Sequence, residues 1–390
     1  MKSKNYDILI VGGGVIGNSI AYHLLKDGMN GTVAILEKDP TYEFASTPRS
    51  MGGIRQQFTT EINIRIGLYG IQAFERFDEE MEVEGEPAHA EYKPFGYLML
   101  ADEKNWNTLQ KQFHFQRSLG VDVVLLSPKE IKQMIPHLDT EGLSGGSFGR
   151  RAGYMDPYGV LFGYRRKAQS LGADYLHAEV VEILRRGNRV QGVRTSNREV
   201  LESEAVVIAA GPWAAEVGKM AGVELPVEPS RQMAFHFKPA EEFAYDLPFV
   251  FTPRGQWFRH ESGKQIVTGR HLSDEPSFRF DWDRNFFKED LWPGLAQFVP
   301  SFDRLKLMRG WGGLYEENRL DHNALLGSYP GLDGLYVAVG FSGHGLMQSP
   351  AVGKGMSELI RTGCYETIDL SPLNVDRLFT GRRVLEEAVY

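Results

Sequence analysis

A short apolar run near the start of the chain leads directly into a glycine-rich loop, and this pairing limits the fold more than any other feature. Residues 6–11 have the continuous hydrophobicity of a buried parallel strand, and the next six residues read Gly-Gly-Gly-Val-Ile-Gly. An amphipathic stretch to about Lys26 and a second apolar run at 32–36 follow. The strand–loop–helix–strand order predicts a Rossmann-type βαβ unit.

The glycines of this loop match the pattern G-x-G-x-x-G, in which each position has its own physical task. Gly12 makes the tight turn, Gly14 lets the backbone approach a pyrophosphate, and Gly17 allows the helix to pack closely on the strand. The helix N-terminus supplies free N–H groups and a positive dipole end, and Glu37, at the end of the second strand, can accept both ribose hydroxyls. We therefore predict a dinucleotide site formed by Gly12, Gly14, Val15, Ile16, Gly17, Glu37 and Lys38.

A second glycine-rich loop lies near the C-terminus. There an apolar run at 335–340 stops in Gly-Phe-Ser-Gly-His-Gly, and a helix is expected from Leu346 to about Arg361. This geometry directs N–H groups and a positive dipole at an anion or an electron-rich ring edge. Because reduced flavin is negative at its N1–C2=O edge, we predict FAD, with an NAD-linked Rossmann dehydrogenase as the alternative. The expected contacts are Gly343, His344, Gly345, Leu346 and Met347.

The order of elements along the chain predicts a discontinuous cofactor domain. Nucleotide-binding elements lie at its start, middle and end, whereas period-two aromatic and β-branched stretches at 235–270 predict an antiparallel sheet. A chain of 390 residues also exceeds what one core usually supports. We predict an α/β fold in which a glutathione-reductase-like Rossmann FAD-binding domain (1–91, 145–222 and 320–390) carries an inserted, mainly antiparallel β-sheet cap domain (92–144 and 223–319).

Composition excludes several classes of protein. The net charge of −8 and the lack of a basic run argue against a nucleic-acid partner. The single cysteine, Cys364, excludes a disulfide framework and a cysteine-based metal cluster within the chain, and we expect no metal. No run of 18 apolar residues and no signal sequence are evident, so we expect a cytoplasmic protein without a membrane span.

These motifs resemble the D-amino-acid-oxidase-like FAD oxidoreductases, in the sarcosine oxidase and glycine oxidase branch, over nearly the whole chain. The resemblance is carried by the first glycine loop, the run SMGGIRQQF at 50–58, the helix start Asp156-Pro157, the run AAGPW at 209–213 and the loop GFSGHG. Within the family, SMGGIRQQF, GFSGHGLMQSPAVGKG and ETIDLSPL are most similar to the FAD-oxidoreductase-domain proteins linked to respiratory complex I assembly and their bacterial relatives.

The family resemblance implies a role for individual residues. It implies that Arg55 lies against the flavin ring, that Val180 holds the adenine through its backbone, and that Gly211 lies beside the adenosine. The remaining cofactor contacts that it implies, including those to pyrophosphate and ribityl, are Ser46, Thr47, Arg49, Ser50, Gly53, Ile54, Ala210, Trp213 and Gly313.

Departures from the family pattern narrow the expected chemistry. In monomeric sarcosine oxidases an arginine and a lysine bind the substrate carboxylate, but the matching positions here hold Phe58 and Met347. Val267 replaces the lysine that helps reduced flavin react with oxygen, and a glycine of the pair Gly312–Gly313 replaces the cysteine that binds flavin covalently. No histidine stands in the loop directly before Gly52, where dimethylglycine dehydrogenases attach their flavin. We therefore expect non-covalent FAD, a preferred substrate other than sarcosine, and slow reaction with oxygen.

The expected function is oxidation of a C–N bond in a small amine or amino-acid derivative, by hydride transfer to flavin N5 with an imine as product. The expected catalytic residues are Arg55, His344 and Arg259, and the expected substrate pocket is Phe58, Arg259, Tyr315 and Met347. The electron acceptor (oxygen, a quinone or a protein) and the oligomeric state stay open. An assembly or scaffold protein with a purely structural flavin is the alternative from a different class.

Overall fold

The apolar run before the first glycine loop forms a strand at the centre of a six-stranded sheet. The computed structural model of the chain describes residues 4–273 and 275–387. Along these residues the strands are β1 (Lys4–Asn5), β2 (Ile8–Val11), β3 (Val33–Glu37), β4 (Gly53–Ile54), β5 (Tyr97–Asp102), β6 (Val123–Leu126), β7 (Leu143–Gly149), β8 (Gly153–Tyr154), β9 (Asp174–His177), β10 (Val180–Arg186), β11 (Arg189–Thr195), β12 (Val200–Glu202), β13 (Val206–Ile208), β14 (Val227–Pro239), β15 (Phe249–Phe251), β16 (Gln256–His260), β17 (Ile266–Arg270), β18 (Leu305–Asn318), β19 (Leu325–Ser328) and β20 (Leu335–Val339).

The helices are α1 (Val15–Lys26), α2 (Glu61–Phe74), α3 (Phe77–Glu80), α4 (Glu103–Ser118), α5 (Pro128–Met134), α6 (Pro157–Ser170), α7 (Ala214–Met220), α8 (Arg284–Phe286), α9 (Trp292–Phe298), α10 (Gly345–Thr362) and α11 (Arg377–Thr380). Three helices, α1, α6 and α10, begin within a residue or two of the starts expected from the two glycine loops and from Asp156-Pro157. At α5 Ser127 and Glu130 form a capping box, and at α6 the side chain of Asp156 accepts a hydrogen bond from the Tyr158 N–H. These polar side chains satisfy N–H groups that a helix start leaves without a partner.

The six-stranded sheet has the order β19-β20-β13-β2-β3-β9, and all neighbouring pairs are parallel except β19 with β20. Its central strand is buried on both faces. Ile8 and Ile10 pack in one core and Leu9 and Val11 in another, because successive side chains of a strand point to opposite faces. A helical layer with α1, α6 and α10 contributes to the first core, and the four-stranded sheet β1-β12-β11-β10 contributes to the second.

Helix α10 brings the C-terminal glycine loop next to the N-terminal one. It packs along α1, and the contact is close where α10 carries Gly353. A Cβ at Gly353 would lie 2.1 Å from Oγ of Ser19, so only glycine allows this approach. Residues more than 300 positions apart in sequence thereby start neighbouring helices.

An eight-stranded sheet forms the cap domain. Its order is β18-β14-β17-β16-β15-β5-β7-β6, and its pairs are antiparallel except β15 with β5. The predicted fold class, a Rossmann FAD-binding domain with an inserted, mainly antiparallel sheet, is confirmed. One boundary differs: the expected division at 144/145 falls inside β7, which pairs with β5 and β6, so the chain leaves the large sheet after Gly149. The Gly-rich sequence of β7, LSGGSFG, concealed its strand character.

A buried ion pair fixes the C-terminal segment to the loop between the two domains. Asp321 and Arg377 are both fully buried and form a hydrogen-bonded pair. Arg377 also donates to the Ala324 carbonyl at 2.6 Å, and Asp321 accepts from the Val384 N–H at 2.8 Å. The carboxylate thus ties α11 and the segment after it to the turn that follows β18.

Arg377→Met is expected to lower the free energy of unfolding by about 3–5 kcal/mol, since it leaves the Asp321 carboxylate buried without its cation. Urea unfolding followed by circular dichroism measures the effect. Arg65→Met is the matched control, because Arg65 pairs with Glu61 on an exposed helix surface, and its cost is expected to be at most about 0.5 kcal/mol. Adding Asp321→Asn to Arg377→Met should recover part of the loss; equal costs for the two arginine variants would contradict this account.

Candidate functional site

One cavity of about 380 Å³ connects the two glycine loops. At its phosphate end it is lined by Gly12, Gly14 and Ser46, and at its ring end by Arg55, Tyr315 and His344. Of the residues expected to contact the cofactor, all line the cavity except Gly17 and Ile54. The two exceptions are buried behind the wall: a Cβ at Gly17 would lie 2.0 Å from the Gly12 carbonyl, and Ile54 is 1% exposed.

The first glycine loop has the shape that a pyrophosphate requires. Gly12 has φ +110°, and a Cβ there would lie 2.3 Å from the Ala209 carbonyl oxygen, so a larger residue cannot make this turn. Gly14, by contrast, has no atom within 4 Å of its Cβ position. It is the N-cap of α1, and neither a capping side chain nor a first-turn acid occupies the helix start. The N–H groups and positive dipole end of α1 are therefore available to an anion.

Glu37 holds the glycine loop as well as facing the cavity. Its carboxylate accepts the Gly13 N–H and the Asp39 N–H, each at 2.8 Å. Burial raises the pKa of Glu37, and the two N–H donors partly oppose that rise. A carboxylate has about four lone-pair sites, so two remain for the hydroxyls of a ribose.

Ser46 offers an unused hydrogen-bonding group inside the cavity wall. Its Oγ is buried and has no hydrogen-bond partner in the described part of the chain. It precedes the 3-10 turn Thr47–Arg49, whose residues also line the cavity. Arg49 donates to the Glu43 and Gly312 carbonyls at 2.7 and 2.5 Å, so its guanidinium holds the turn against the cap domain. A buried hydroxyl without a partner is uncommon in proteins, and a phosphate or ribityl oxygen would satisfy it.

Aromatic stacking covers the opposite end, where the resemblance places adenine. The Lys38 ammonium lies 3.8 Å from the ring centroid of Trp213, and Trp213 stacks on Phe278 at 5.4 Å. Val180 and Gly211 line the cavity beside them. Phe278 comes from the cap domain, so both domains contribute to this end.

Arg55 is the centre of the ring end. It is 3% exposed, its Nη2 lies 3.1 Å from Nε2 of His344, and it donates to the Gln57 carbonyl. Its guanidinium lies 4.1 Å from the ring centroid of Phe58, and Phe58 packs edge-on against His344. These contacts fix a positive charge at the cavity wall in an environment of low polarity, where its electrostatic effect on a bound ligand is large.

Two residues expected in the substrate pocket lie outside the cavity. Phe58 is fully buried beneath Arg55 and does not line it. Arg259 does not line it either: its Nε donates to the Met51 carbonyl at 3.1 Å, and its guanidinium lies 3.2 Å from Glu261 and 4.4 Å from the Tyr154 ring centroid. It shares a strand face with Trp257, which does line the cavity, but two residues carry the strand about 6.6 Å further. We therefore leave Arg259 and Phe58 out of the pocket.

The cap domain contributes an aromatic wall that the sequence analysis did not assign. Tyr97 and Phe249 stack at 4.6 Å, Phe249 and Phe251 at 5.0 Å, and Trp257 packs against Phe249 at 5.5 Å. These four side chains line the cavity together with Trp311. The alternating pattern FVF at 249–251 was the available signal. Val267 is fully buried in the same apolar cluster and does not line the cavity.

The wall also contains a carboxyl that was missed. Glu316 lines the cavity and accepts the Gly340 N–H at 2.9 Å. Burial raises its pKa to about 8. The backbone carbonyl of Glu316 accepts a hydrogen bond from the Ser342 N–H, which joins β18 to the second glycine loop. Because this contact links segments that are distant in sequence, the local sequence around Tyr315 and Glu316 did not predict it.

No group of three or more potential metal ligands is found among the described residues, and none of their helices is long and apolar enough to span a membrane.

Ser46→Ala is expected to weaken FAD binding at least about tenfold, the order of one lost hydrogen bond to a charged group. The stability of the apoprotein should change by no more than about 0.5 kcal/mol, because the hydroxyl has no protein partner to lose. Flavin fluorescence quenching measures the affinity. Ser301→Ala is the matched control: Oγ of Ser301 is also buried without a partner but lies away from the cavity. Equal affinities of the two variants would contradict the assignment of Ser46.

Comparison with known proteins agrees with this geometry. The family model described as FAD dependent oxidoreductase (DAO) matches residues 7–359. The FAD-dependent oxidoreductase domain-containing protein 1 of Xenopus laevis is 35% identical over 427 residues, covering 100% of this chain and 86% of that protein. The solved L-proline dehydrogenase from P. horikoshii has a TM-score of 0.90 at 28% identity, covering 98% of this chain and 100% of that one. Glycine oxidase from Geobacillus kaustophilus has a TM-score of 0.85 at 26% identity, covering 96% and 99%.

These similarities favour FAD over NAD as the cofactor, and the residues along the cavity fit it. The chain belongs to the DAO family of FAD-dependent oxidoreductases.

Proposed function

We propose that this protein is an enzyme that oxidises a C–N bond in a small amine or amino-acid derivative, using non-covalently bound FAD. The observation that carries the proposal is the ring end of the cavity. There a buried cation, Arg55, and a phenol, Tyr315, face an aromatic wall from the cap domain. A space with a few fixed polar groups and an otherwise apolar lining is typical of a small-molecule site. The solved relatives described above are named for the oxidation of proline and glycine.

Non-covalent attachment is supported by what lines the cavity. Gly313, within the glycine pair expected at the attachment position, has no side chain to offer. The only cysteine, Cys364, is exposed and is not part of the lining. Binding then depends on the loop N–H groups, Glu37 and Ser46 at the phosphate end and on the stacked Trp213 at the other.

The side chains at the ring end have separable tasks. FAD supplies the two-electron acceptor when it is bound. The Arg55 guanidinium stabilises negative charge that accumulates next to it, an effect that preorganised charges exert most strongly where water is excluded. Burial raises the pKa of Tyr315 to about 12, so its phenol stays neutral and keeps its proton to donate. The aromatic wall positions the carbon skeleton of the substrate and excludes water.

The lining also indicates which substrates bind well. Met347 faces the cavity, and the second cation that would complete a carboxylate clamp is missing at this position. Tyr97, Phe249 and Trp257 offer a large apolar surface instead. We propose that the preferred substrate has an apolar or cyclic body, and that binding of its carboxylate contributes less than in sarcosine oxidases.

An acceptor other than oxygen is part of the proposal. Val267 stands where the resemblance places a lysine that promotes reaction with oxygen, and it is buried in an apolar cluster. A fixed cation favours formation of superoxide-like negative charge, and Val267 offers none. We propose that the enzyme works as a dehydrogenase that passes electrons to a quinone, a protein or another carrier.

An anaerobic panel of amines, N-methyl amino acids, cyclic imino acids and larger apolar amino acids should contain compounds that bleach the flavin absorbance of the holoprotein. Apolar and cyclic members should bleach it fastest, and an artificial dye should reoxidise it faster than oxygen does. The control is 2-aminoisobutyrate, which has no hydrogen on its α-carbon to transfer and should leave the flavin oxidised. If no member of the panel reduces the flavin, the alternative of an assembly or scaffold protein with a structural flavin is favoured.

Met347→Lys should improve the use of sarcosine, because it places a cation in the cavity where the carboxylate of the substrate would lie. We expect the KM for sarcosine to fall about tenfold, the order of one partly buried charged contact. The concentration dependence of anaerobic flavin reduction measures it. Met347→Leu is the neutral control of similar volume and should leave the KM high. Equal KM values for the two variants would show that this position does not face the substrate carboxylate.

A further inference from the structure

Glu316 is a carboxyl of the cavity wall that the proposed reaction does not use. It lies in β18 between Tyr315 and Glu317. It is half-buried, and because it lines the cavity, the surface that it keeps faces the cavity. A cofactor that filled the cavity would cover this surface and remove the carboxyl from water.

The Glu316 carboxyl lies at the start of α10. Its Oε2 accepts the Gly340 N–H at 2.9 Å, at the point where β20 enters the second glycine loop. A Cβ placed on Gly345, the first residue of α10, would lie 3.9 Å from Oε1. The group therefore lies beside the same helix start that we assign to the electron-rich edge of the flavin ring.

No cation pairs with Glu316 among the described residues. The charged or titratable side chains on β18, on the paired strand β14 and on the turn Thr47–Arg49 are Lys306, Arg309, Tyr315, Glu317, Glu228, Arg231, His236, Lys238 and Arg49. Arg55 and His344 also line the cavity. Four of the cations have other contacts. Arg49 donates to the Gly312 carbonyl at 2.5 Å, and Arg231 lies 3.2 Å from Asp281. Lys238 lies 3.5 Å from Glu242, and Arg309 lies over the ring of Trp311.

Other groups are also paired away from it. Glu228 pairs with Arg319 at 2.5 Å, and Nη2 of Arg55 lies 3.1 Å from Nε2 of His344. Glu317 pairs with His322 and does not line the cavity. An ionised Glu316 would therefore be a negative charge stabilised only by backbone N–H groups, in a cavity that is to receive further negative charge.

We propose that Glu316 is a proton acceptor at the ring end of the cavity: where its carboxylate is ionised, it takes up one proton when the bound flavin is reduced. This inference rests on the proposed binding of FAD with its ring at this loop. In a titration, two electrons and one proton go to the ring. Where Glu316 is ionised beforehand, a second proton from solvent goes to its carboxylate, because negative charge on the ring next to it favours its neutral form. Glu316 thus acts on the cofactor through its charge: by taking up a proton, its carboxylate loses the negative charge that would lie next to the reduced ring.

The pKa of Glu316 sets the pH above which reduction of the flavin should be coupled to proton uptake by this carboxylate. Burial raises the pKa of Glu316 to about 8. Below that value the carboxyl is already protonated with oxidised flavin, so reduction takes up one proton. Above it the carboxylate gains its proton only on reduction, so reduction takes up two.

The experiment is a spectroelectrochemical titration of the FAD-loaded protein from about pH 7 to about pH 10. A tenfold change in proton concentration shifts a two-electron potential by about 30 mV for each proton taken up. The natural protein should change from one-proton to two-proton dependence near pH 8, whereas Glu316→Gln, which stays neutral, should keep the one-proton dependence. Glu317→Gln is the matched control, since that neighbouring carboxyl faces away from the cavity, and it should behave as the natural protein does.

A one-proton dependence of the natural protein over the whole range would overturn the inference, and so would a change of slope that persists in Glu316→Gln. Should Glu316→Gln fail to fold, the natural protein and Glu317→Gln still decide, because a change of slope near pH 8 supports the inference and its absence rejects it. This result does not depend on knowing the substrate. If the slope changes near pH 8 but no amine of the anaerobic panel reduces the flavin, the role of Glu316 is supported and the proposed function is contradicted. Failure of all three proteins to bind FAD would contradict both.

Discussion

The close approach of helix α1 to strand β2 is the constraint on which the rest of the structure depends. At Gly17 the helix lies against the Gly12 carbonyl with no room for a Cβ, and at Gly12 the turn lies against the Ala209 carbonyl in the same way. These contacts set the direction of α1, and therefore where its unpaired N–H groups point. Gly353 repeats the arrangement between α1 and α10, so the second helix start is placed relative to the first by backbone contact rather than by side-chain packing.

Most of the fold could be predicted from the sequence because its signals are local. The two glycine loops, the capping residues Ser127 and Asp156, and the alternation of apolar residues each fix a turn or a helix start within a few positions. The strand β7 was divided between domains because it contains three glycines in seven residues, and its identity comes from pairing with β5 and β6 rather than from its own composition.

The cofactor end of the site was more predictable than the substrate end for the same reason. A pyrophosphate is bound by one short loop and one helix, whereas the ring end collects Arg55, Tyr315, His344 and the wall of Phe249 and Trp257 from distant segments. Arg259 shows the limit. It was expected in the substrate pocket, but its contacts with Tyr154 and Glu261 hold the side chain outside the cavity. Glu316 shows the converse, since an acidic residue in an ordinary strand becomes notable only when the Gly340 N–H and the cavity are seen next to it.

Because the chain passes repeatedly between its two large sheets, cleavage of one loop affects both domains. Strands of the cofactor domain come from three separate stretches of sequence, and each stretch is joined to strands of the cap domain. A single cut in a loop therefore leaves neither fragment with a complete cavity, because the two glycine loops lie at opposite ends of the chain. Since the cofactor would bind only when both are present, its binding energy adds to the stability of the whole chain. Binding of the flavin and association of the two domains are thus thermodynamically linked.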